Sequence, residues 1–129
     1  MKGILVVGSN FGNREENVHN ALMFIQSCCS VVSCSEVYES PDNLGHGNNY
    51  LNLVIEINCN VGELFLNNQL KQHEIQAGRN KIRRERGEVP IDIDIVVWEG
   101  EIRRIHDFQA KYFQQGYNQI RKEQKVKNT

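Results

Sequence analysis

The chain has 129 residues, of which 40% are hydrophobic and 24% charged, and its formal net charge is −1. These proportions are those of one folded globular domain and argue against a disordered, collagen-like or coiled-coil chain. The near-neutral charge provides no overall basic field for nucleic acid, and no apolar run suits a signal peptide or membrane span, so we expect a cytoplasmic protein that binds neither nucleic acid nor membrane.

The first part of the chain predicts a strand, a helix and a second strand. Residues 2–7 are rich in β-forming residues and end at a glycine, which indicates a buried strand. Asn13 is a suitable N-cap for a helix whose apolar residues recur at helical spacing over residues 18–25. Residues 31–38 are rich in β-branched residues, so they predict the second strand.

The second part predicts a strand, a helix and a final strand. Residues 42–49 are rich in Asp, Asn and Gly, which suits a loop that carries ligand contacts. Residues 50–57 then resume strand character, and residues 61–77 predict a helix with one apolar stripe. A charged loop is expected over residues 80–89, before a strand over residues 91–98.

The resulting order, βαββαβ, is that of a ferredoxin-like α+β sandwich with an antiparallel sheet and two helices on one face. We expect a single domain over residues 1–120. Residues 99–120 contain four aromatic residues and are expected to drape over the sheet, whereas residues 121–129 are polar and are expected to form a frayed tail. The four cysteines lack metal-ligand spacing and are expected to pack as reduced, small apolar side chains.

Two aspartates stand two residues apart on the last predicted strand. Because alternate residues of a strand face the same side, Asp92 and Asp94 are expected to lie side by side. Two unpaired carboxylates in one small space repel each other, and a divalent cation removes this conflict. Mg²⁺ prefers one or two carboxylates together with water and phosphate oxygens. The pair therefore predicts a magnesium site, and the alternative is an ordinary strand with a solvated face.

Basic residues cluster just before these aspartates. Five of them fall within eight residues: Arg79, Lys81, Arg83, Arg84 and Arg86. Arginine binds phosphate through two parallel hydrogen bonds, so this loop could clamp nucleotide phosphates around the metal. The alternatives are a solvated loop and a weak nucleic-acid patch.

Several short motifs follow one another along the chain: VGSN at 7–10, ESP at 39–41, YLN at 50–52, EIQAGR at 74–79 and PIDIDI at 90–95. Together they resemble the 6-hydroxymethyl-7,8-dihydropterin pyrophosphokinase family of folate synthesis. The resemblance implies the ferredoxin-like fold, ATP as co-substrate and two magnesium ions. It also implies transfer of pyrophosphate from ATP to the pterin hydroxymethyl group, with release of AMP.

The resemblance further implies roles for individual residues. Asp92 and Asp94 match the metal-binding, catalytic aspartates, and Arg79 matches a catalytic residue near the nucleotide. Residues expected around the pterin are Ser40, Pro41, Leu44, Tyr50, Asn52, Phe113 and Asn10. Glu74 and Arg79 match family residues near the nucleotide. Also expected around the nucleotide are Ile95, the basic-loop residues Arg83 and Arg84, and Lys111 as a replacement for a family cation.

Three functional hypotheses are open at this point. The first is an active pyrophosphokinase, as a shortened member of the family. The second is a non-catalytic pterin- or nucleotide-binding relative with an incomplete ATP clamp, because Val89 replaces a family arginine and the segment after Trp98 is short. The third takes only the fold, as an RNA-binding or small-ligand regulatory module, and the near-neutral charge argues against RNA. The oligomeric state is not indicated.

Overall fold

The structure is a computed structural model that describes residues 1–42 and 47–127. Strands and helices follow one another broadly as the sequence predicts. In chain order they are β1 (Lys2–Ser9), α1 (Arg14–Cys28), β2 (Ser30–Cys34), β3 (Tyr38–Ser40), β4 (Tyr50–Asn58), α2 (Glu63–Gln76), α3 (Lys81–Glu85), β5 (Asp92–Trp98), β6 (Glu101–Ile102), α4 (Ile105–Gln109) and α5 (Lys111–Lys127).

These strands form one antiparallel sheet in the order β2-β4-β1-β5-β6, and β3 pairs with β4 as well. Strand β1 therefore lies in the centre, between β4 and β5. Helices α1 and α2 provide the two crossovers that this strand order requires. The arrangement is ferredoxin-like, so the predicted fold class is confirmed.

Two predicted segments differ in detail. The strand expected over residues 31–38 is divided into β2 and β3 at Ser35, whose hydroxyl oxygen accepts a hydrogen bond from the Val54 backbone N–H at 3.0 Å. Because a side chain takes the place of a backbone partner there, the regular pairing with β4 is interrupted. The segment expected as a charged loop contains the short helix α3, which Asn80 caps by accepting from the Arg83 N–H.

One face of the sheet packs against α1 and α2. Leu5, Ile55 and Ile93, from the three adjacent strands β1, β4 and β5, are among the residues buried there with apolar residues of both helices. Removing this apolar surface from water is the main stabilising contribution to such a layered fold. The four cysteines are free thiols that lie in or against this core, in agreement with their prediction as small packing residues.

Helix α5 covers part of the opposite face. Phe113 of α5 is fully buried in a cluster that includes Val54 of β4. The helix approaches the sheet closely because Gly116 has no side chain: a Cβ at this position would stand 2.6 Å from Val54 Cγ2. The part of this face near the start of β5 carries Asp92 and Asp94, which line two adjoining cavities.

The C-terminal segment is mostly helical. Within residues 99–120, strand β6 extends the edge of the sheet, whereas the aromatic residues of α4 and α5 lie over its face, as the sequence predicts. Helix α5 continues to Lys127, so residues 121–127 are helical where the sequence predicts a frayed tail over residues 121–129. Across the described residues, no helix combines the length and apolar character needed to span a bilayer.

Candidate functional site

The uncovered part of this second face forms the floor of a cavity. Asn52, Gly8 and Asp92 are cross-strand neighbours on β4, β1 and β5, so they form one row across the sheet. In the next row Val6 stands beside Asp94. Since Gly8 lacks a side chain, the floor is recessed between Asn52 and Asp92.

We call this space the sheet cavity, and its volume is about 310 Å³. Strand β3, the chain after it and the α4–α5 segment complete the walls above the floor. The residues that line it are Val6, Val7, Gly8, Ser40, Pro41, Asp42, Tyr50, Asn52, Asp92, Asp94, Asp107 and Tyr112. A volume of this size is at the lower end of the range for small-molecule sites.

A larger and more polar opening, which we call the charged cleft, adjoins the sheet cavity. Its volume is about 950 Å³. The residues that line it are Lys71, Glu74, Ile75, Arg79, Asn80, Lys81, Arg84, Glu85, Asp92, Asp94 and Arg104. Asp92 and Asp94 line both spaces, so ligands in the two spaces would meet at this aspartate pair.

Glu74 is a buried carboxylate at the centre of the charged cleft. Its Oε2 accepts hydrogen bonds from the Ile93 backbone N–H at 2.8 Å and from Lys71 Nζ at 2.9 Å. Its Oε1 accepts from Arg79 Nη1 at 3.0 Å. Burial raises the pKa of Glu74, although the donors at Ile93 and Lys71 oppose the shift. The carboxylate thus ties α2 to β5 and holds two cations in place.

Both cations also reach the aspartate pair. Arg79 Nη1 donates to Asp92 Oδ1 at 2.6 Å, and Lys71 Nζ donates to Asp94 Oδ1 at 3.1 Å. Arg104 Nη1 lies 4.0 Å from Asp94 Oδ1. Together with the buried glutamate, three carboxylates lie among these three cations, and Arg104 is also paired with a fourth carboxylate, that of Asp107.

The two aspartates differ in their affinity for a proton. Burial and the negative charge of Asp92 raise the pKa of Asp94 to about 7. Burial also acts to raise the pKa of Asp92, but a hydrogen bond from Asp94 and the charge of Arg79 outweigh it, so the pKa of Asp92 is lowered. Two carboxylates this close do not ionise independently. The raised pKa of Asp94 makes it the member of the pair that takes up a proton first, and a bound metal cation would favour the ionised form instead.

Asn52 presents a hydrogen-bond acceptor to a ligand in the sheet cavity. Asn52 Nδ2 donates to Ser40 Oγ at 2.7 Å and to the Tyr38 carbonyl at 3.3 Å. The amide nitrogen is therefore used within the protein. The amide oxygen lies beside Gly8, 3.6 Å from where a Cβ would stand, and Tyr50 lies 3.3 Å from that same position. Asn52 Oδ1 and the Tyr50 ring thus border the recess in the floor.

Among the residues expected around a pterin, Ser40, Pro41, Tyr50 and Asn52 line the sheet cavity. Phe113 is buried in the core under α5, and its neighbour Tyr112 forms the cavity wall instead. Leu44 lies outside the described residues. These placements bring the β3 and β4 motifs together on one cavity.

Asn10 has a different position. It is buried and lines neither the sheet cavity nor the charged cleft. Its Nδ2 donates to the Gly87 carbonyl at 2.9 Å, and its Oδ1 accepts from the Val89 N–H at 2.6 Å. Asn10 therefore holds the segment before β5 against the end of β1, and so it fixes the approach of the chain to the aspartates.

The residues expected around a nucleotide are more dispersed. Glu74, Arg79 and Arg84 line the charged cleft. Ile95 is buried and borders an adjoining groove. Arg83 instead donates to the Gly78 carbonyl, next to α2. Lys111 is exposed at the start of α5 and lines neither space.

Four residues of the site were missed by the sequence analysis: Lys71, Arg104, Asp107 and Tyr112. Asp107 accepts hydrogen bonds from Arg104 and from the Tyr112 hydroxyl, so it connects the charged cleft with the sheet cavity. The sequence does indicate Lys71, because it precedes Glu74 by three residues and so lies on the same side of α2. The other three lie in residues 99–120, where no motif was available to identify them.

The comparisons with known proteins find a matching family and similar proteins. Residues 4–122 match the model of the family described as 7,8-dihydro-6-hydroxymethylpterin-pyrophosphokinase. A similar protein is the Folic acid synthesis protein FOL1 of Dictyostelium discoideum, which is 29% identical over 109 residues, covering 84% of this chain and 16% of that protein. Another is the 2-amino-4-hydroxy-6-hydroxymethyldihydropteridine pyrophosphokinase of Haemophilus influenzae, 32% identical over 101 residues, covering 76% of this chain and 62% of that protein. The chain thus spans less than two thirds of the length of either relative.

Proposed function

Because this chain belongs to the 7,8-dihydro-6-hydroxymethylpterin-pyrophosphokinase family, we propose that it transfers pyrophosphate from ATP to the hydroxymethyl group of 6-hydroxymethyl-7,8-dihydropterin and releases AMP. The reaction is a step of folate synthesis, and we place it in the cytoplasm. The observation that carries the proposal is that Asp92 and Asp94 line the sheet cavity and the charged cleft at once.

The sheet cavity supports binding of the pterin. A pterin is a flat double ring with amino and amide donors along one edge, and its size suits a cavity of about 310 Å³. Asn52 Oδ1 would accept a hydrogen bond from that edge. Tyr50 and Tyr112 line the same cavity and would pack against the ring. A ring held in this way would direct its hydroxymethyl group toward the aspartates.

The charged cleft supports binding of the ATP phosphates. It is the larger of the two spaces, and ATP is the larger of the two substrates. The cations that line the cleft are Lys71, Arg79, Lys81, Arg84 and Arg104. Ammonium and guanidinium groups form strong, charge-assisted hydrogen bonds with phosphate oxygens. Phosphates in this cleft would meet the pterin hydroxymethyl group at Asp92 and Asp94.

The aspartate pair suits magnesium. Oxygen ligands are what Mg²⁺ prefers, and one or two carboxylates with substrate phosphates are a common set. Over residues 1–42 and 47–127, no third acidic, histidine or cysteine side chain groups with the pair to form a metal cluster. Water and ATP would therefore complete the coordination. When bound, two magnesium ions would neutralise the phosphates and polarise the phosphorus under attack.

The reaction depends on positioning and on charge neutralisation. The hydroxymethyl oxygen forms a bond to the β-phosphorus of ATP, and the bond from that phosphorus to the oxygen bridging the α-phosphorus breaks. AMP leaves with the bridging oxygen, and the hydroxyl proton is released. The residues of the sheet cavity orient the pterin, while Arg79 and Arg104 would stabilise the charge that moves onto the leaving group.

The test is to incubate the protein with Mg-ATP and 6-hydroxymethyl-7,8-dihydropterin and to measure AMP. Asp92→Asn and Asp94→Asn are each expected to lower the rate about a thousandfold, because both remove a metal ligand without changing the shape of the side chain. Glu15→Gln is the control, since Glu15 is exposed on α1 outside both spaces. AMP release that is undiminished in both aspartate variants would overturn the mechanism.

A second candidate function is binding of the pterin or the nucleotide without catalysis. The observation that favours it is the position of Lys111, which was expected to supply a cation to ATP but lines neither space. A change in pterin fluorescence would report binding of the pterin. Binding without release of AMP would select this function. Release of ADP instead of AMP would indicate a different class of kinase.

A further inference from the structure

Lys71 makes contacts in the site that the proposed reaction does not explain. Its ammonium group donates to three acceptors: Glu74 Oε2 at 2.9 Å, the Ile93 carbonyl at 2.8 Å and Asp94 Oδ1 at 3.1 Å. It also lies 3.9 Å from Asp92 Oδ1. A single cation thus occupies the space between the carboxylates that are expected to hold a metal.

The charge of the cluster depends on this lysine. Lys71 and Arg79 pair directly with Glu74, Asp92 and Asp94, whereas Arg104 is ion-paired with Asp107 and lies 4.0 Å from Asp94. A metal ion that arrives alone must therefore compete with the Lys71 ammonium group for the Asp94 oxygen. Without Lys71 the same carboxylates have one positive charge fewer beside them.

Lys71 is also placed to contact a nucleotide. It lines the charged cleft and the groove that adjoins it, and its side chain is 38% exposed. A lysine has a flexible four-carbon stem, and its ammonium group binds phosphate oxygens as a point charge. The group can therefore exchange a carboxylate partner for a phosphate partner by a change of rotamer, without movement of α2.

We propose that Lys71 is a displaceable counter-ion: it neutralises Asp94 and Glu74 in the free protein, and it transfers to the phosphates of ATP when magnesium takes the carboxylates. This inference rests on the proposed function of the site. It makes Lys71 a positioning residue for the aspartates before binding and a phosphate contact after it. Its consequence is that metal binds well only together with the nucleotide.

Two variants test this inference. Lys71→Gln removes the charge and keeps a hydrogen-bond donor, and Lys71→Arg keeps the charge. Glu74 retains its contacts with Arg79 and the Ile93 N–H in both variants, so both should fold, which circular dichroism would verify. Lys81→Gln is the matched control, because Lys81 lines the same cleft and makes no ion pair with a carboxylate in the described part of the chain.

The first measurement uses electron paramagnetic resonance to determine the affinity for Mn²⁺ when no nucleotide is present. Lys71→Gln is expected to bind Mn²⁺ about fivefold more tightly than the wild type, because the competing charge is gone. Lys71→Arg and Lys81→Gln are expected to remain within about twofold of the wild type.

The second measurement is the affinity for ATP in excess Mg²⁺, by calorimetry. Here Lys71→Gln is expected to bind about fivefold more weakly, because one phosphate contact is lost, whereas Lys71→Arg retains it. Opposite changes in the two affinities distinguish a counter-ion that is displaced from a lysine that only maintains the structure. A purely structural lysine would weaken both affinities on removal, and that result would overturn the inference.

The outcomes also separate this inference from the proposed function. If Mn²⁺ binds the wild type and Asp92→Asn abolishes the binding, the metal site stands; unchanged or weaker Mn²⁺ binding by Lys71→Gln would then refute the role of Lys71 alone. If neither the wild type nor Lys71→Gln binds Mn²⁺, the metal site and the role of Lys71 fail together.

Discussion

The sheet cavity and the charged cleft meet at the same two aspartates, yet different interactions hold their walls. Backbone pairing places the floor of the sheet cavity, because the register of three strands aligns Asn52, Gly8 and Asp92. Side-chain ion pairs around Glu74 hold the charged cleft together. A strand register persists when one side chain changes, whereas a network of buried charges depends on every member.

Because of this difference, ligand binding in the two spaces should respond to different properties of the surrounding side chains. Binding of an uncharged ligand in the sheet cavity should depend mainly on the shape of the residues that surround it. The charged cleft should respond to any loss of charge, even when the shape of the side chain is preserved. Substitutions that change only shape or only charge can therefore test whether the two spaces behave as distinct units.

The largest expected effect is in the charged cleft, from Glu74→Gln. The change keeps the shape of the side chain but leaves Lys71 and Arg79 without their shared buried carboxylate. We expect the free energy of unfolding in urea to fall by about 3 kcal/mol. The control is Glu63→Gln on the same helix, whose partner Arg103 is at the surface, with an expected loss of about 0.5 kcal/mol. Equal losses in the two variants would contradict a cleft held by buried charge.

The next effect concerns the wall of the sheet cavity, from Gly116→Ala. A Cβ at Gly116 would stand 2.6 Å from Val54 and 2.7 Å from the Tyr38 hydroxyl, so α5 must shift away from the sheet. The Tyr38 hydroxyl also donates to the Tyr112 carbonyl, so the shift reaches the cavity wall. We expect a loss of about 2 kcal/mol in unfolding free energy, despite the better helix propensity of alanine.

Its control is Gln115→Ala, because Gln115 is exposed on the same helix. This variant should remain within about 0.5 kcal/mol of the wild type. The same unfolding experiment serves both variants. An unchanged stability for Gly116→Ala would mean that α5 is not in close contact with β4, and the cavity wall would then need another source of support.

The two spaces also differ in how far the sequence predicts them. Ser40, Pro41, Tyr50 and Asn52 belong to short motifs on β3 and β4, and strand pairing brings them onto one cavity. Alternation along β5 similarly predicts that Asp92 and Asp94 share a face. These positions follow from local periodicity and strand order, which can be read from the chain.

Contacts in the charged cleft were harder to predict. Lys71 reaches the aspartates only because α2 packs beside β5, and Arg104 reaches them only because the chain turns back after β6. The partner of a long, flexible side chain depends on tertiary packing rather than on spacing along the sequence. For the same reason the position of Lys111, away from both spaces, could not be inferred from its charge.

A smaller effect is expected from Gly8→Ala, which changes the shape of the sheet cavity alone. The added Cβ would stand 3.3 Å from Tyr50 and would fill the recess beside Asn52 Oδ1. We expect the affinity for the pterin, measured by its fluorescence, to fall about tenfold, because an added methyl group in a tight site excludes the ring. ATP affinity should stay within about twofold of the wild-type value. Equal weakening of both ligands would show that the two spaces are not independent.

The smallest expected effect is the response of ligand affinity to salt concentration, which should differ between the two spaces. The cations of the charged cleft are partly exposed, with side-chain exposures of 38% for Lys71 and 50% for Arg104, so dissolved ions can screen them. Raising KCl from about 0.05 M to about 0.5 M should weaken ATP binding about threefold at constant Mg²⁺, since the screening length falls to a few ångströms. The pterin is uncharged and rests on a floor set by backbone pairing, so its affinity should change by less than about 1.5-fold. Calorimetric titrations at both salt concentrations measure the two affinities. If the pterin affinity falls as steeply as the ATP affinity, charged groups of the sheet cavity contribute to pterin binding as well.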